Sequence, residues 1–426
     1  MKIIAERILE ADEKRGLVNY KRIYLSHTGY ECKQTKTTQR ESDYANEKEY
    51  RTSLDNGKTY TEWAPVERTE YSKRFGEDEM ISQETSRIWN PIHRHYVSTW
   101  WSRYFIDGHE KAYRHLWREG KLDFFDHQYI AISDSGDGGI ISKKLVKYED
   151  GVDFDPQKPN NPEFLMKNRG FLNAPIVLKN GDIAVAVGVP VPAACNMAGL
   201  DVQSVFPSCP NLHRGVMVAR GKYNTGTNEY DLSFSNPIIL DDLRSSRGID
   251  EPILAELEGG RILLVMRGSN VRSEAWNTRI KEGTPTYKWY SFSDDGGKTF
   301  TEAMPWRFDS GKPIYSAATI SKLIRSSKNK RLYWIGNISD EHAYGNFPRF
   351  PLYICEVDDK SALLKKGTLT VIDTRREGES EKLQLSNFSL IEDRESGNFE
   401  ITLAKNGQFD PNRSFFGESW KYTVVL

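Results

Sequence analysis

Residues 250–267 read DEPILAELEGGRILLVMR, in which two apolar runs flank the pair Gly259-Gly260. Apolar and β-branched runs on either side of two residues that tolerate positive φ predict a β-hairpin with a tight turn. The two open ends of a hairpin lie side by side. We therefore expect Asp250, Glu251 and Arg267 to share one end, with two carboxylates beside a guanidinium.

The same unit recurs along the chain, and six such hairpins can be laid out. Their starts are roughly 65 to 90 residues apart, which is the length of a four-stranded propeller blade with its loops. The predicted hairpins pair residues 3–9 with 18–26, 81–89 with 96–104, 171–178 with 183–189, 250–256 with 262–267, 316–324 with 331–337, and 385–391 with 399–404. No internal boundary interrupts the repeat, so we expect one domain over residues 1–426.

A second repeated motif is an octapeptide of the form S-x-D-x-G-x-T-aromatic. Residues 53–60 (SLDNGKTY) and 293–300 (SDDGGKTF) match it, and residues 133–136 (SDSG) are a degenerate copy. The pattern predicts a turn in which the Asp side chain caps backbone N–H groups and Gly supplies positive φ. The aromatic ring is expected to pack between sheets.

These octapeptides are similar to the Asp-boxes of the sialidase-like β-propellers, and the whole chain resembles that superfamily. The resemblance implies an all-β fold, a six-bladed β-propeller of four-stranded antiparallel blades around a central funnel. It also implies that the Asp-boxes are structural and lie away from the active site. Asp55 and Asp295 are therefore not catalytic candidates.

Composition and charge exclude several functions. The chain has 426 residues and a net charge of −1, so neither nucleic acid nor an anionic membrane is an expected partner. No apolar run reaches the length of a membrane span, and residues 1–16 show no signal peptide, which leaves the compartment open. The four cysteines lack metal-ligand spacing, so no metal or cofactor is expected. Cys195 and Cys209 flank one loop and are expected to be buried thiols, with a disulfide as the alternative.

The mouth of the predicted funnel collects charged residues from distant parts of the chain. Residues that begin the first strand of a blade, end its second strand or begin its third strand lie there. The predicted set comprises Asp250, Glu251, His27, Arg103, Arg267, His127, His213, Arg214, Arg349, Arg247 and Tyr315. Guanidiniums that converge bind a carboxylate or sulfate through parallel hydrogen bonds. A carboxylate among them stays ionised, and a second acid can protonate a leaving oxygen.

The resemblance to sialidases implies roles for some of these residues. In sialidases three arginines hold the substrate carboxylate, a Tyr–Glu pair supplies the nucleophile and an Asp is the acid/base. Glu251 and Arg267 look like the family's Glu and second arginine, and Arg349 looks like the third. The family's R-I-P segment is missing, because its nearest match, residues 20–24, falls in a predicted second strand. Phe388 stands where the nucleophilic Tyr is expected.

We therefore expect an exo-acting glycoside hydrolase whose partner is a carbohydrate with an acidic, carboxylated or sulfated sugar. Glu251 or Asp250 would act directly, and His127 or a loop residue would exchange protons. Two carboxyl groups about 5 to 9.5 Å apart across the funnel would favour this chemistry.

Three other interpretations stay open. In the first, Asp250 and Glu251 form ion pairs with Arg244, Arg247 or Arg267 that only hold two blades together. Structural ion pairs perturb pKa values as functional ones do, so the residue types alone do not distinguish the two roles. A propeller without the family's Tyr can serve as a lectin or a protein-docking disc. A lyase acting on a uronate would need His and Tyr at the mouth, for which Tyr104 and Tyr315 are the candidates.

Overall fold

The computed structural model describes residues 1–112, 122–134, 136, 139–207, 210–273 and 278–426. These residues form six antiparallel sheets. This is the strand arrangement of a six-bladed β-propeller, as the sequence predicted. Residues 1–70 and 307–426 make one compact unit, and residues 71–306 make a second. No helix in the described ranges is long and apolar enough to span a membrane.

Blades 1 to 3 contain the following strands. Strand β1 (Lys2–Leu9) precedes blade 1, which consists of β2 (Leu17–Tyr24), β3 (Cys32–Gln39), β4 (Glu47–Ser53) and β5 (Ala64–Pro65). Blade 2 consists of β6 (Ser72–Phe75), β7 (Asp78–Asn90), β8 (His95–Phe105), β9 (Phe124–Ser133) and β10 (Ile140–Leu145). Blade 3 consists of β11 (Phe171–Leu172), β12 (Ile176–Val177), β13 (Ile183–Pro190), β14 (Arg214–Asn224) and β15 (Glu229–Phe234).

Blades 4 to 6 complete the set. Blade 4 consists of β16 (Asp250–Glu256), β17 (Ile262–Arg267), β18 (Lys288–Ser293) and β19 (Met304–Pro305). Blade 5 consists of β20 (Ser321–Arg325), β21 (Leu332–Asn337), β22 (Leu352–Val357) and β23 (Thr370–Asp373). Blade 6 consists of β24 (Ser389–Glu392), β25 (Phe399–Ala404) and β26 (Ser419–Val425), together with β1.

Helices are short and lie in the connections. The α-helices are α1 (Pro162–Met166), α2 (Val191–Ala198) and α3 (Val202–Val205). Single 3₁₀ turns span Arg68–Glu70, His109–Lys111, Pro210–Leu212 and Lys366–Thr368.

Five of the six predicted hairpins are confirmed, and the first is wrong. Strand β1 pairs with β26, with Ile3 opposite Val424, whereas β2 pairs with β3. An alternating pattern identifies a strand but not its partner, and here the N-terminal strand completes the sheet built by the C-terminal strands. Strand β2 is therefore the first strand of blade 1 rather than a second strand.

Strand β13 carries the core of the second unit. All eight of its residues are buried, so both of its faces are packed. On one side Ala184 and Ala186 join an apolar cluster with Leu254 and Leu264. On the other side Val185 and Val187 join a cluster with Val97 and Ile130. Burial of a Val or Leu side chain contributes about 1.5–3 kcal/mol. This packing fixes blades 2, 3 and 4 against one another.

The two octapeptide turns share one set of hydrogen bonds. Asp55 Oδ1 accepts from the Thr59 N–H at 2.8 Å, and its Oδ2 accepts from the Thr59 hydroxyl at 2.6 Å. Asp295 makes the same two bonds with Thr299, at 3.0 and 2.7 Å. These bonds lower the pKa of Asp55 to about 2, the side-chain bond with Thr59 contributing most. Both aspartates are thus occupied by their own turns, while Ser135 of the degenerate copy lies outside the described residues.

Three cysteines, Cys32, Cys195 and Cys355, are buried free thiols. Cys209 lies outside the described residues. The expectation of a free thiol is therefore confirmed for Cys195.

Candidate active site

We call the end at which the first hairpin of a blade is open its upper end, and the end with the hairpin turn its lower end. In the second unit, the upper ends of blades 2, 3 and 4 bring carboxylates and guanidiniums into one continuous series of contacts. This acid–arginine cluster comprises Arg103, Asp126, Arg214, Asp250, Glu251 and Arg267.

Asp126 on β9 is the buried end of the cluster. Arg103, which lies opposite it on β8, donates from Nε to Oδ1 at 2.7 Å and from NH2 to Oδ2 at 3.0 Å. The indole N–H of Trp101 donates to Oδ1 at 2.9 Å. Burial alone would raise the pKa of Asp126, but the charges of Arg103 and Arg214 and these hydrogen bonds hold it below the usual value.

Arg214, the first residue of β14, bridges two carboxylates. Its NH2 group lies 3.2 Å from Asp126 Oδ2, and its Nε lies 3.6 Å from Asp250 Oδ2. Its NH1 group donates to the Gly188 carbonyl at 3.2 Å. The backbone of Arg214 also bridges to Gly248, whose φ is +68° and where an added Cβ would lie 2.1 Å from the Arg214 carbonyl oxygen. Only glycine fits there, so this contact fixes blade 4 against Arg214.

Asp250, Glu251 and Arg267 form the open part of the cluster, as the hairpin predicted. Asp250 faces Arg267 in the register of β16 and β17. Arg267 places NH1 3.0 Å from Glu251 Oε2 and NH2 3.7 Å from Asp250 Oδ2. Asp250 Oδ1 also accepts from the Glu251 N–H at 2.8 Å. Both carboxylates therefore lie on one guanidinium.

The backbone at Glu251 is strained. Its φ is +47°, and the register of the hairpin shifts between Asp250 and Ile253. A non-glycine residue in this region costs roughly 1–3 kcal/mol and persists where the surroundings impose it, often at functional sites. The bulge turns the Glu251 side chain toward the same guanidinium as its neighbour, which a regular strand would not do.

Exposure and charge vary along the cluster. The side chain of Asp126 is 3% exposed, whereas those of Arg214 and Asp250 are 22% and 25% exposed. Arg247 lies nearby, and burial and the charge of Arg267 lower its pKa to about 10. Among the described residues, the acid–arginine cluster and Arg247 together supply four guanidiniums and three carboxylates. One positive charge is thus in excess, which suits an anionic ligand.

His127 and His213, both predicted at the mouth, are core residues. The ring of His127 stacks on Phe164 with centroids 4.0 Å apart and donates from Nε2 to the Phe164 carbonyl at 2.8 Å. His127 lies on the face of β9 opposite to Asp126, because neighbours in a strand alternate. His213 packs edge-on against Phe206 at 4.9 Å. Burial lowers the pKa of each to about 4.

Tyr104, a candidate for lyase chemistry, is 1% exposed, and its hydroxyl donates to Asp78 at 2.6 Å. Burial is the main cause of the raised pKa of Tyr104. The phenol is thus held as a neutral donor rather than as a base.

Three predicted site residues belong to the first unit. Arg349 donates to Gln384 at 2.7 Å and to the Ala318 carbonyl at 2.8 Å, which joins the upper ends of blades 5 and 6. Tyr315 precedes β20 at the same end of blade 5 and is half-buried. His27 is exposed and lies in the turn between β2 and β3, where the Asn56 N–H bonds the Tyr30 carbonyl. His27 is therefore at the lower end of blade 1, and its predicted place at the mouth is wrong because β1 does not belong to that blade.

The wrong assignment of β1 to blade 1 also affected Arg22, which lies in the nearest match to the missing R-I-P segment. Arg22 lies in the first strand of blade 1 but near its lower end. It contacts Asp393 at 3.2 Å and Glu400 at 3.1 Å and donates to the Asn56 carbonyl. It joins two blades and does not take the place of the family's first arginine.

Asp126 and Trp101 are the residues that sequence reasoning missed. Asp126 directly precedes His127, which was selected because histidine can exchange protons. Only one of two adjacent strand residues can face the site, and which one does so depends on the face of β9 that is turned to blade 3. Arg103 was already predicted at the upper end of its strand, and the strand that follows contains its partner. Only the register of β8 and β9 shows that this partner is Asp126.

One group of side chains has the composition of a metal site. Within the described part of the chain, Glu79, His109 and Glu110 place ligand atoms within 4.8 Å of one another. Arg74 contacts Glu110 at 2.7 Å and Glu79 at 3.5 Å, and His109 Nδ1 lies 2.5 Å from Glu79. Both carboxylates thus already contact Arg74, and Glu79 also contacts His109.

Solved structures share the fold. The chain matches a protein of unknown function from Dyadobacter fermentans with a TM-score of 0.58 and 16% identity, over 99% of both chains. It matches the Trypanosoma rangeli sialidase with a TM-score of 0.53 and 12% identity, over 99% of this chain and 60% of that one. It matches the NanB sialidase from Streptococcus pneumoniae with a TM-score of 0.55 and 11% identity, over 99% and 70%.

The fold is that of the sialidases. No family model matches this chain, and no curated protein sequence matches it. At these identities the likeness extends to the fold alone. The likeness therefore assigns no role to Asp250, Glu251 or the arginines of this propeller.

Proposed function

We propose that this chain is an exo-acting glycoside hydrolase that acts on an acidic sugar at the end of a glycan. Asp250 and Glu251 are its catalytic carboxylates, and Arg214 and Arg267 bind the acid group. The observation that carries this proposal is the partly open pair of carboxylates on Arg267, one of them in a strained backbone, beside an excess of guanidinium charge. The sialidase fold of the chain supports the same class of chemistry.

The two carboxylates differ in their surroundings, which suits them to different steps. Glu251 has the shorter contact with Arg267, and such a contact favours the charged form of a carboxylate. A charged group there can stabilise the positive charge that develops on the sugar ring. Asp250 is more exposed and makes longer contacts at 3.6 and 3.7 Å, so it is the group that exchanges a proton with the leaving oxygen or with water.

A lectin-like propeller that binds the sugar without cleaving it is the second candidate. Phe388 favours it, since it occupies the position at which the resemblance predicts a nucleophilic tyrosine, and it is 2% exposed. A phenyl ring cannot attack an anomeric carbon. Hydrolysis in this chain would then depend wholly on Asp250 and Glu251, whereas binding would depend on the arginines.

The test is turnover of a panel of 4-methylumbelliferyl glycosides of sialic, uronic, sulfated and neutral sugars. We expect the wild type to release the fluorophore from an acidic member. Glu251→Gln and Asp250→Asn should each lose roughly 10²–10⁴-fold in kcat. The matched control is Asp294→Asn, which breaks an exposed 2.6 Å ion pair with Arg261 and should keep full activity.

Calorimetric titration of the released sugar separates the two candidates. For the hydrolase, Glu251→Gln binds the sugar and does not cleave its glycoside. Equal turnover in Glu251→Gln and the wild type would refute the catalytic assignment. Binding by the wild type with no cleavage of any panel member would establish the lectin.

A further inference from the structure

Arg169 is a buried guanidinium at the upper end of blade 3. It is 8% exposed. Its Nε donates to the Met166 carbonyl at 3.3 Å, and its NH2 group donates to Asn211 Oδ1 at 3.4 Å. Both acceptors are neutral and both bonds are long. Among the residues that the structure describes, Arg169 has no carboxylate in an ion pair, whereas Arg103 and Arg214 each have at least one.

The backbone around Arg169 is fixed beside the acid–arginine cluster. Arg169 bridges to His127 on β9, and the next N–H along the chain, that of Gly170, donates to the Asp126 carbonyl at 3.0 Å. Phe171 then pairs with Gly188, whose carbonyl accepts from Arg214. The chain thus places Arg169 between the strand of Asp126 and the strand that contacts Arg214.

The electrostatics of this position are unfavourable in the protein alone. Burial is the main cause of the lowered pKa of Arg169, and the charge of Arg214 also lowers it, whereas Tyr148, Glu149 and Asp126 act in the opposite direction. Removing a charge from water without a counter-ion destabilises a fold, and natural proteins pair such charges or bind an ion with them. An anionic ligand would supply an ion-pair partner in direct contact, which no described carboxylate provides.

We infer that Arg169, together with Arg214, binds the acid group of the substrate and so determines the preference for an acidic over a neutral sugar. This rests on the proposed function only in taking the anion to be part of a sugar. A guanidinium that already makes only long bonds to neutral acceptors gains the most from a carboxylate or sulfate, which accepts two parallel hydrogen bonds from it. Asn211 orients the guanidinium and does not neutralise it.

Thermal stability tests this inference without any turnover. Replacement of an arginine that only stabilises the fold should lower the melting temperature. Arg169→Met instead removes a buried charge that has no ion pair with a described carboxylate, so we expect the melting temperature to stay unchanged or to rise. The matched control is Arg279→Met, because Arg279 donates from Nε to the buried Asp242 at 2.8 Å and from NH2 to the Val205 carbonyl at 3.1 Å. This control should melt at a lower temperature.

Ligand binding is then read from the same melts. D-Glucuronate, N-acetylneuraminate and N-acetylglucosamine 6-sulfate are added at equal ionic strength, with D-glucose and N-acetylglucosamine as neutral counterparts. At least one anion should raise the melting temperature of the wild type and of Arg279→Met in a concentration-dependent way. Arg169→Met should respond about 10- to 100-fold more weakly in apparent Kd, as expected for one charged hydrogen-bond donor, and Arg169→Lys should recover part of the response.

Each outcome decides the matter. The inference is overturned if Arg169→Met melts as low as Arg279→Met and still responds to the anion, or if none of the three anions stabilises the wild type. An anion response that needs Arg169, in a protein that cleaves no glycoside, would overturn the proposed hydrolase and leave this inference standing.

Discussion

Replacement of Asp126 by Asn tests whether the buried part of the acid–arginine cluster holds the site together. Asp126 is 3% exposed and accepts from Arg103, Arg214 and Trp101. Asn keeps one acceptor oxygen but removes the charge, so the buried guanidinium of Arg103 loses its counter-ion. Breaking a buried ion pair by removing one partner costs about 3–5 kcal/mol. The free energy of unfolding of a typical domain is about 5–15 kcal/mol, so this loss is a large share of the total.

Urea-induced unfolding at pH 7, followed by tryptophan fluorescence, measures the loss. A double-mutant cycle with Arg103→Met separates the pair from its surroundings, because the double variant no longer contains the uncompensated guanidinium. We expect the double variant to be more stable than the sum of the single losses predicts, by about 1.5 kcal/mol or more. Asp294→Asn, which breaks an exposed pair with the same bidentate geometry, should leave the midpoint unchanged. A loss below about 1 kcal/mol for Asp126→Asn, or additive single losses, would refute the reasoning.

Two further predictions concern the site and its pH dependence. An added Cβ at Gly188 would lie 3.0 Å from Asp250 Oδ1, so Gly188→Ala should displace that carboxylate and lower turnover of an acidic glycoside about tenfold or more. Gly259→Ala, where the added atom meets open space, is the control, and equal turnover in both variants would contradict the role of Asp250. Burial lowers the pKa of His95, His127 and His213 to about 4, below the unfolded value of 6.5. Stability is therefore complete above about pH 6.5 and falls between pH 6.5 and 4, by about 2 kcal/mol per histidine at pH 5. Urea midpoints at pH 7.5 and 5.0 check this. His127→Gln should reduce the pH dependence by about a third, and a flat midpoint would contradict the assignment.

The sequence carried enough information for the fold because its strongest signals are local. The hairpin at residues 250–267 depends on two apolar runs and a turn, all within one stretch. The octapeptide turns are also local, and their hydrogen bonds formed as the residue types indicated. The partner of β1 is distant in sequence, since Ile3 pairs with Val424. No residue near position 3 indicates that its strand pairs with the C-terminal strand.

In the candidate site, too, local contacts were predicted and contacts between distant strands were not. Asp250, Glu251 and Arg267 were predicted together because one hairpin contains all three. Arg214 and Arg103 were predicted at the mouth, but their link through Asp126 could not be, because it depends on which face of β9 meets blade 3. His127 was chosen over its neighbour on chemical grounds, and a shift of one residue moves a side chain to the opposite face of a strand.

We propose that the acid–arginine cluster does more than join three blades. A purely structural network would be expected to balance its charges and to relax its backbone, because both imbalance and strain reduce stability. Its buried part meets this expectation, since Asp126 is saturated by donors from two arginines and an indole. Its open part does not, because Glu251 is held at φ +47°. Stability is thus lost where the side chains reach solvent and retained where they do not. That distribution supports the proposal that the open part of the cluster binds a ligand and that its buried part holds it rigid.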